Sequence, residues 1–265
     1  MADKIKVLFL SANPSNTSRL YLGTEIKEIG DSLYSALHRD SFELISEWAL
    51  TVDSLQKALL RYSPHIVHFS GHGNIQKGIV LNDEYGKAHT VGKQPLTALF
   101  RILKDNIRII VLNACHTEEQ ADAIGEVIDY TIGMNTTIAD KAAVFFSASF
   151  YSALGFGRSV REAFDLAVNN LQMKFPDVYK TPVFRVREGA SSYLIEQPAD
   201  PRLAEILSLK QKWANELDPW KRYWLAISVG NIGGKNALET LRSMRAQESD
   251  EFALMGVEEA LRVVS

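Results

Sequence analysis

The 265-residue sequence has one cysteine, Cys115, which excludes an internal disulfide and fits a reducing compartment. An excess of charge of one sign is missing too: 29 Lys and Arg stand against 32 Asp and Glu, a formal net charge of −3. That balance offers little to a nucleic-acid backbone or an anionic membrane surface, and neither partner is expected. No apolar run approaches the roughly 18 residues that cross a bilayer. The start, MADKIKVLFLSANPSN, carries a short apolar run without a small-residue cleavage site. It reads as a first strand rather than a signal peptide, so the expected location is cytoplasmic. A phosphate-binding loop is absent, since "GFGRS" lacks the lysine and the spacing, and no cofactor is expected. His65, His68 and His72, with Cys115 and His116, could suggest zinc. Along a strand, however, offsets of three and seven from His65 project to opposite faces, and no metal site is expected.

The composition, 46% hydrophobic and 23% charged, is enough for a sizeable core, and the length suits one large domain with a small appendage. "IKVLFLSA" is a near-continuous apolar run, as in a strand buried on both faces. A helix is expected from about Glu25 to His38, with Ile26, Ile29, Leu33 and Leu37 on one face. "FELISEWAL" reads as a second strand, and Asp53 with Gln56 as a capping box for the helix "SLQKALLRYS". "HIVHFSG" is a third strand running into His72, and "GIVLNDEYGKAHTV" a hairpin turning near Glu84 to Gly86. "IRIIVLNA" delivers Cys115 at its end, "DYTIGMN" is a fifth strand, and "TPVFRVREG" a last one. Ser159 and Glu162 cap the helix "SVREAFDLAVNNL". The alternation predicts an α/β fold with a mostly parallel sheet covered by helices on both faces.

Near Gln197 the pattern changes, giving expected domains of 1–197 and 198–265. "DPWKRYWLAISVGNIGGKNALETLRSM" gives a helix, a glycine turn and a second helix, and "ESDEFALMGVEEALRVV" starts again. This resembles a HEAT-type helical repeat of about one and a half units, too short to bury its own faces. It is expected to pack on the larger domain, on a second copy in a homo-oligomer, or on a regulatory protein. Trp213, Trp220 and Trp224 read as packing residues, any exposed subset marking a docking surface.

His72 and Cys115 both fall at C-terminal strand ends, where open parallel sheets build their sites. A thiol attacks as thiolate and needs a base or a positive environment. His72 is the candidate base, and Thr117 with Gln120 forms a T-x-x-Q capping box that places a helix N-terminus near the sulfur. His116 is a competing base, though adjacent side chains point apart. Gly71 and Gly73 let the backbone turn, and the amides of Gly73 and Cys115 are candidate oxyanion donors. The alternative is a buried filler thiol and a loop histidine.

"HFSGHG" followed by "VLNACHT" resembles the paired motifs of the caspase-like clan, above all its bacterial CHAT protease branch, with separases, metacaspases and caspases more distant. "LFLSANPSNTSRL" and "DYTIGMN…DKAAVFFSASFYSALGFGRSVREAF" are also similar to CHAT domains, and the resemblance covers roughly Ile5 to Ile195. It implies a caspase-like three-layer sandwich and peptide-bond hydrolysis through an acyl-enzyme. Cys115 is then the nucleophile, His72 the base and Gly73 an oxyanion donor, without metal or cofactor. It further implies a protein substrate, cleaved in a defence or cell-death circuit under control of a sensor protein bound through the tail. Arg19 and Asn113 match positions that line the S1 pocket of caspases and favour an acidic or polar P1 residue. Asp140 lies near the acidic pocket residue of basic-specific relatives, or is a helix N-cap, so P1 preference stays open. The other reading is a non-catalytic caspase-like scaffold or adaptor.

Overall fold

A computed structural model describes residues 4–74, 78–190, 194 and 201–264. The chain divides into two units, 1–195 and 196–265. The expected boundary at 197/198 lies outside the described residues.

The larger unit begins with β1 (Ile5–Ser11), α1 (Leu22–Tyr34), β2 (Phe42–Glu47), α2 (Val52–Tyr62) and β3 (Ile66–Ser70). Next come β4 (His72–Asn74), β5 (Gly78–Asn82), β6 (Ala88–Val91), α3 (Lys93–Ile102), β7 (Ile109–Asn113) and α4 (Glu118–Gly125). It closes with β8 (Tyr130–Met134), α5 (Asp140–Gly155), α6 (Val160–Lys174) and β9 (Pro182–Val186). A six-stranded sheet runs in the order β2-β1-β3-β7-β8-β9, parallel except for β9. β4, β5 and β6 form a separate antiparallel sheet.

Alternation along the central strands sorts side chains onto two faces. Val7, Phe9, Ile109 and Val111 pack with Ile29 and Leu33 of α1, Phe146 and Phe150 of α5 and Ala163 of α6. Leu8, Leu10, Ile110 and Leu112 pack with Leu55 and Leu59 of α2, Phe100 of α3 and Ile124 of α4. The result is three layers, with the sheet in the middle.

Local signals held unevenly. Ser159 and Glu162 make the expected capping box. The box on α2 is instead Thr51 with Ser54, because the helix begins at Val52 and Thr51 has the extended backbone a cap requires. α1 stops at Tyr34, which leaves Leu37 73% exposed, and its buried positions are Leu22, Glu25, Ile29 and Leu33.

The smaller unit holds α7 (Pro201–Asn215), α8 (Pro219–Ile232), α9 (Gly234–Gln247) and α10 (Glu251–Val264). Helix α7 lies ahead of the stretch that reads as repeats in the sequence and contributes Ile206 and Trp213 to a core with Val229, Leu241, Met244 and Val257. The expectation of an array without a core of its own therefore needs correcting. α8 and α10 approach where side chains are smallest: a Cβ on Gly256 would stand 2.8 Å from Tyr223 Cα.

Phe146 is fully buried, stacked on Phe150 and edge-on to Phe164. Phe146→Ala is expected to cost about 3–5 kcal/mol, read as a lowered urea midpoint at unchanged m-value.

Candidate active site

β3 and β7 are paired neighbours, with Ser70 opposite Asn113. Their C-terminal ends therefore open onto one rim of the sheet. Cys115 follows two residues after β7. His72 does not extend β3, as the sequence suggested, but begins β4 of the small sheet. Gly71 makes the switch where the chain is too crowded for a side chain, since a Cβ there would lie 2.9 Å from Ala12 O.

β4 then crosses the cysteine loop at very close range. A Cβ on Gly73 would sit 1.9 Å from Cys115 O and 3.2 Å from Cys115 N, so only glycine permits this approach. Contact at this range brings the Gly73 backbone beside the Cys115 amide.

His72 and Cys115 line one cleft of about 50 Å³, together with Glu25, Ser70, Asn113 and Asp140. The imidazole is oriented from outside it: His72 Nε2 lies 2.8 Å from the carbonyl oxygen of Ser18. A carbonyl only accepts, so Nε2 carries the proton and a neutral ring keeps its lone pair on Nδ1.

Beneath the cleft lies a polar cluster that the sequence did not announce. Glu25 is 3% exposed on α1. Its Oε1 accepts from His68 Nε2 at 2.9 Å, Asn113 Nδ2 at 2.5 Å and Ser147 Oγ at 2.8 Å, and its Oε2 accepts from Ser70 Oγ. His68 Nδ1 lies 3.2 Å from the hydroxyl of Tyr151, and the ring stacks on Phe9. Burial by itself would raise the Glu25 pKa. Hydrogen bonds from His68, Ser70 and Asn113, with the charge of His68, outweigh burial and hold the carboxyl below its ordinary value. Burial, then the Glu25 charge, pushes the Tyr151 phenol well above its ordinary value. One signal was available: Glu25, Ile29 and Leu33 share the i, i+4 face of α1 that packs inward, and a carboxylate there demands partners.

The expected capping box after Cys115 is not made. Thr117 stands at the N-cap of α4, but its φ of −99° and ψ of 5° are not the extended values of a capping residue. It is fully buried, its hydroxyl 2.9 Å from the carbonyls of Leu112 and Ala114, and it accepts from Met134 N. Thr117 thus ties the cysteine loop to β7 and β8. Gln120 donates to Val91 O instead. His116 adopts a left-handed φ of 57°, and its Nε2 lies 3.2 Å from Thr137 Oγ1. It lines a different groove, of about 650 Å³, with Asn74 and Gln120. That turn separates the two adjacent side chains.

Of the proposed specificity residues, Asn113 and Asp140 line the cleft, and Arg19 is exposed and is not among its lining residues. Asp140 is the first residue of α5 rather than its cap, and its Oδ2 accepts from Tyr21 N at 3.3 Å. Among the described residues no group of three or more His, Cys, Asp or Glu could hold a metal ion.

The CHAT domain family model matches residues 4–183. A protein described as a probable protease from Gillisia limnaea is 26% identical over 190 residues, covering 69% of this chain and 34% of that protein. A Roc-COR-CHAT protease from an unknown prokaryotic organism is 27% identical over 190 residues, covering 68% of this chain and 18% of that protein. The chain thus spans about a third or less of the length of these curated relatives. A secreted C11 cysteine protease from Bacteroides thetaiotaomicron superposes with a TM-score of 0.51 at 12% identity, over 98% of this chain and 82% of that one. That likeness concerns the fold, a caspase-like three-layer sandwich with a mostly parallel central sheet.

Two outcomes follow from the geometry. Gly73→Ala is expected to force β4 off the cysteine loop and slow any Cys115-dependent reaction by about a hundredfold, measured beside an unchanged far-ultraviolet spectrum. Because the Glu25 pKa is depressed in the folded state, its contribution to stability is present above the ordinary 4.5 and is lost as pH falls through the lower folded value. Below pH 4.5 the melting temperature should therefore fall more steeply in wild type than in Glu25→Gln.

Proposed function

The chain belongs to the CHAT domain family, and on that premise we propose that it is a cysteine endopeptidase using Cys115 and His72. The observation that carries this reading is the single cleft lined by both residues, with the Gly73 backbone packed against Cys115 and the His72 ring held by Ser18 O. In the proposed reaction Nδ1 of His72 takes the Sγ proton and the thiolate adds to the scissile carbonyl carbon. The Gly73 and Cys115 amides receive the developing oxyanion, and the protonated imidazole passes its proton to the leaving amine. Water, deprotonated by His72, then releases the acyl group from sulfur. General-base help of this kind supplies about 10²–10⁴-fold, and one oxyanion donor about 10²–10³-fold.

The substrate is proposed to be a partner protein, cut when a sensor switches the enzyme on within a bacterial defence or cell-death circuit. The setting is the reducing cytoplasm, which keeps a lone thiol reduced. No described helix is long and apolar enough to cross a membrane. The helical unit is proposed as the regulatory contact or self-association surface. In its support, Trp220 and Trp224 are 56% and 51% exposed and cluster with Tyr223 and Phe252.

The test compares new protein N-termini in cells carrying wild type or Cys115→Ala under conditions that activate the system. Termini dependent on Cys115 are expected; the same termini in both would sink the peptidase reading. A thiol-directed probe separates a scaffold from an enzyme: labelling of Cys115 is expected to slow about tenfold or more in His72→Ala, and labelling indifferent to His72 favours the scaffold.

A further inference from the structure

We propose that the groove beside His116 is a subsite for the leaving side of the substrate, selecting a carboxamide side chain within the first three residues after the scissile bond. The group is that of glutamine or asparagine, and its anchor is Gln120. The inference rests on the endopeptidase reading and names part of its substrate class.

The cleft at Cys115 takes lining residues from α1 and α5, whereas the groove takes the first residues of α3 and α4, helices on the opposite face of the sheet. Cys115 lines the one and His116 the other, and the left-handed backbone at His116 turns the chain between them. In the proposed reaction His72 hands its proton to the leaving amine, so the chain beyond the cut departs past β4. That strand runs from His72 to Asn74, and Asn74 lines the groove. An extended chain advances about 3.3 Å per residue, which brings the first few residues after the cut to this groove.

A groove alone would not make a site. The second observation is Gln120, 3% exposed and lining it. Its Nε2 donates to Val91 O at 3.1 Å, which fixes the amide orientation because a carbonyl only accepts. Among the described residues its buried Oε1 has no hydrogen-bond partner. Buried acceptors in native proteins are nearly always paired, so this one points to a donor that arrives with the ligand.

The lysine and glutamates of the lining are already matched: Lys93 lies 3.3 Å from Glu119, and Glu118 3.3 Å from Arg185. What the groove calls for is a neutral donor rather than a counter-ion. A carboxamide brings two N–H donors without charge, and its carbonyl can accept in return from the hydroxyl of Thr90 on the groove's wall. A carboxylate would set acceptor against acceptor, and an aliphatic side chain would leave Oε1 unpaired. Gln120 is almost wholly buried, so a side chain reaches it where a main chain held at the rim does not.

The experiment uses the full chain, wild type and Cys115→Ala, on a peptide library made by digesting a bacterial proteome. Cuts that depend on Cys115 are read on both sides by mass spectrometry. Glutamine or asparagine is expected about fivefold or more above its library abundance at one of the first three positions after the cut. Gln120→Glu replaces the neutral acceptor with an anion and should move that preference to lysine or arginine. Thr90→Tyr, at a partly exposed position, fills the groove and should abolish the preference. Residues selected before the cut should stay the same in both variants, a split that a purely structural role would not produce. If Gln120→Glu fails to fold, Thr90→Tyr decides the matter. No carboxamide enrichment after the cut, or enrichment unchanged in every folded variant, overturns the subsite and leaves the peptidase standing. If no cut depends on Cys115, the peptidase reading falls, and the inference with it.

Discussion

A buried carboxylate needs compensation, and much of the site's architecture serves the one at Glu25. The donors reach it from β3, β7 and α5, while the carboxylate itself rides on α1. Removing a charge from water costs several kcal/mol unless hydrogen bonds replace the lost hydration. Four donors from three further elements meet that demand only when the layers stand in one register. The cluster therefore fixes helix positions where apolar packing, which is non-directional, would tolerate sliding. It also sits below the rim that carries Cys115, so the same groups that lock the layers shape the cleft.

The second constraint is steric. Gly71 and Gly73 bracket His72, and both lie where a methyl group would overlap backbone atoms of other segments. The histidine is thus carried across the cysteine loop by the thinnest available chain. Thr117 anchors that loop from the other side, through β7 and β8. Cys115 and His72 are held by backbone contacts rather than by long side chains, which limits their relative drift.

The sequence made the sheet legible because its buried parallel strands are short apolar runs with polar ends, a pattern that survives without knowledge of neighbours. His72, Cys115 and Gly73 were legible because glycine, histidine and cysteine fell at strand ends in a recognisable order. Glu25, His68, Ser70, Ser147 and Tyr151 were not, since each looks ordinary alone and their meeting depends on which strands pair. Thr117 shows the reverse error. T-x-x-Q is a valid capping pattern, but a buried hydroxyl with closer carbonyls satisfies those first. Arg19 was read by analogy of position in a loop, where backbone course is least determined by sequence.

The Ser18 carbonyl has a reach beyond holding a ring in place. Its segment is stitched to the β5–β6 turn by Ser15 N to Gly86 O and by Ala88 N to Asn16 Oδ1. β4, which bears His72, belongs to that same small sheet. The acceptor and the imidazole it orients are thus both tied to the small sheet, whereas the sulfur follows β7 of the central sheet. Shift the acceptor away, and the ring proton becomes free to exchange between two nitrogens, so that part of the population presents a donor where the proposed reaction needs a lone pair. On the proposed reading, a tautomer ratio set by a hairpin on the periphery would then scale the fraction of molecules able to react at any instant, with no atom of the cysteine having moved.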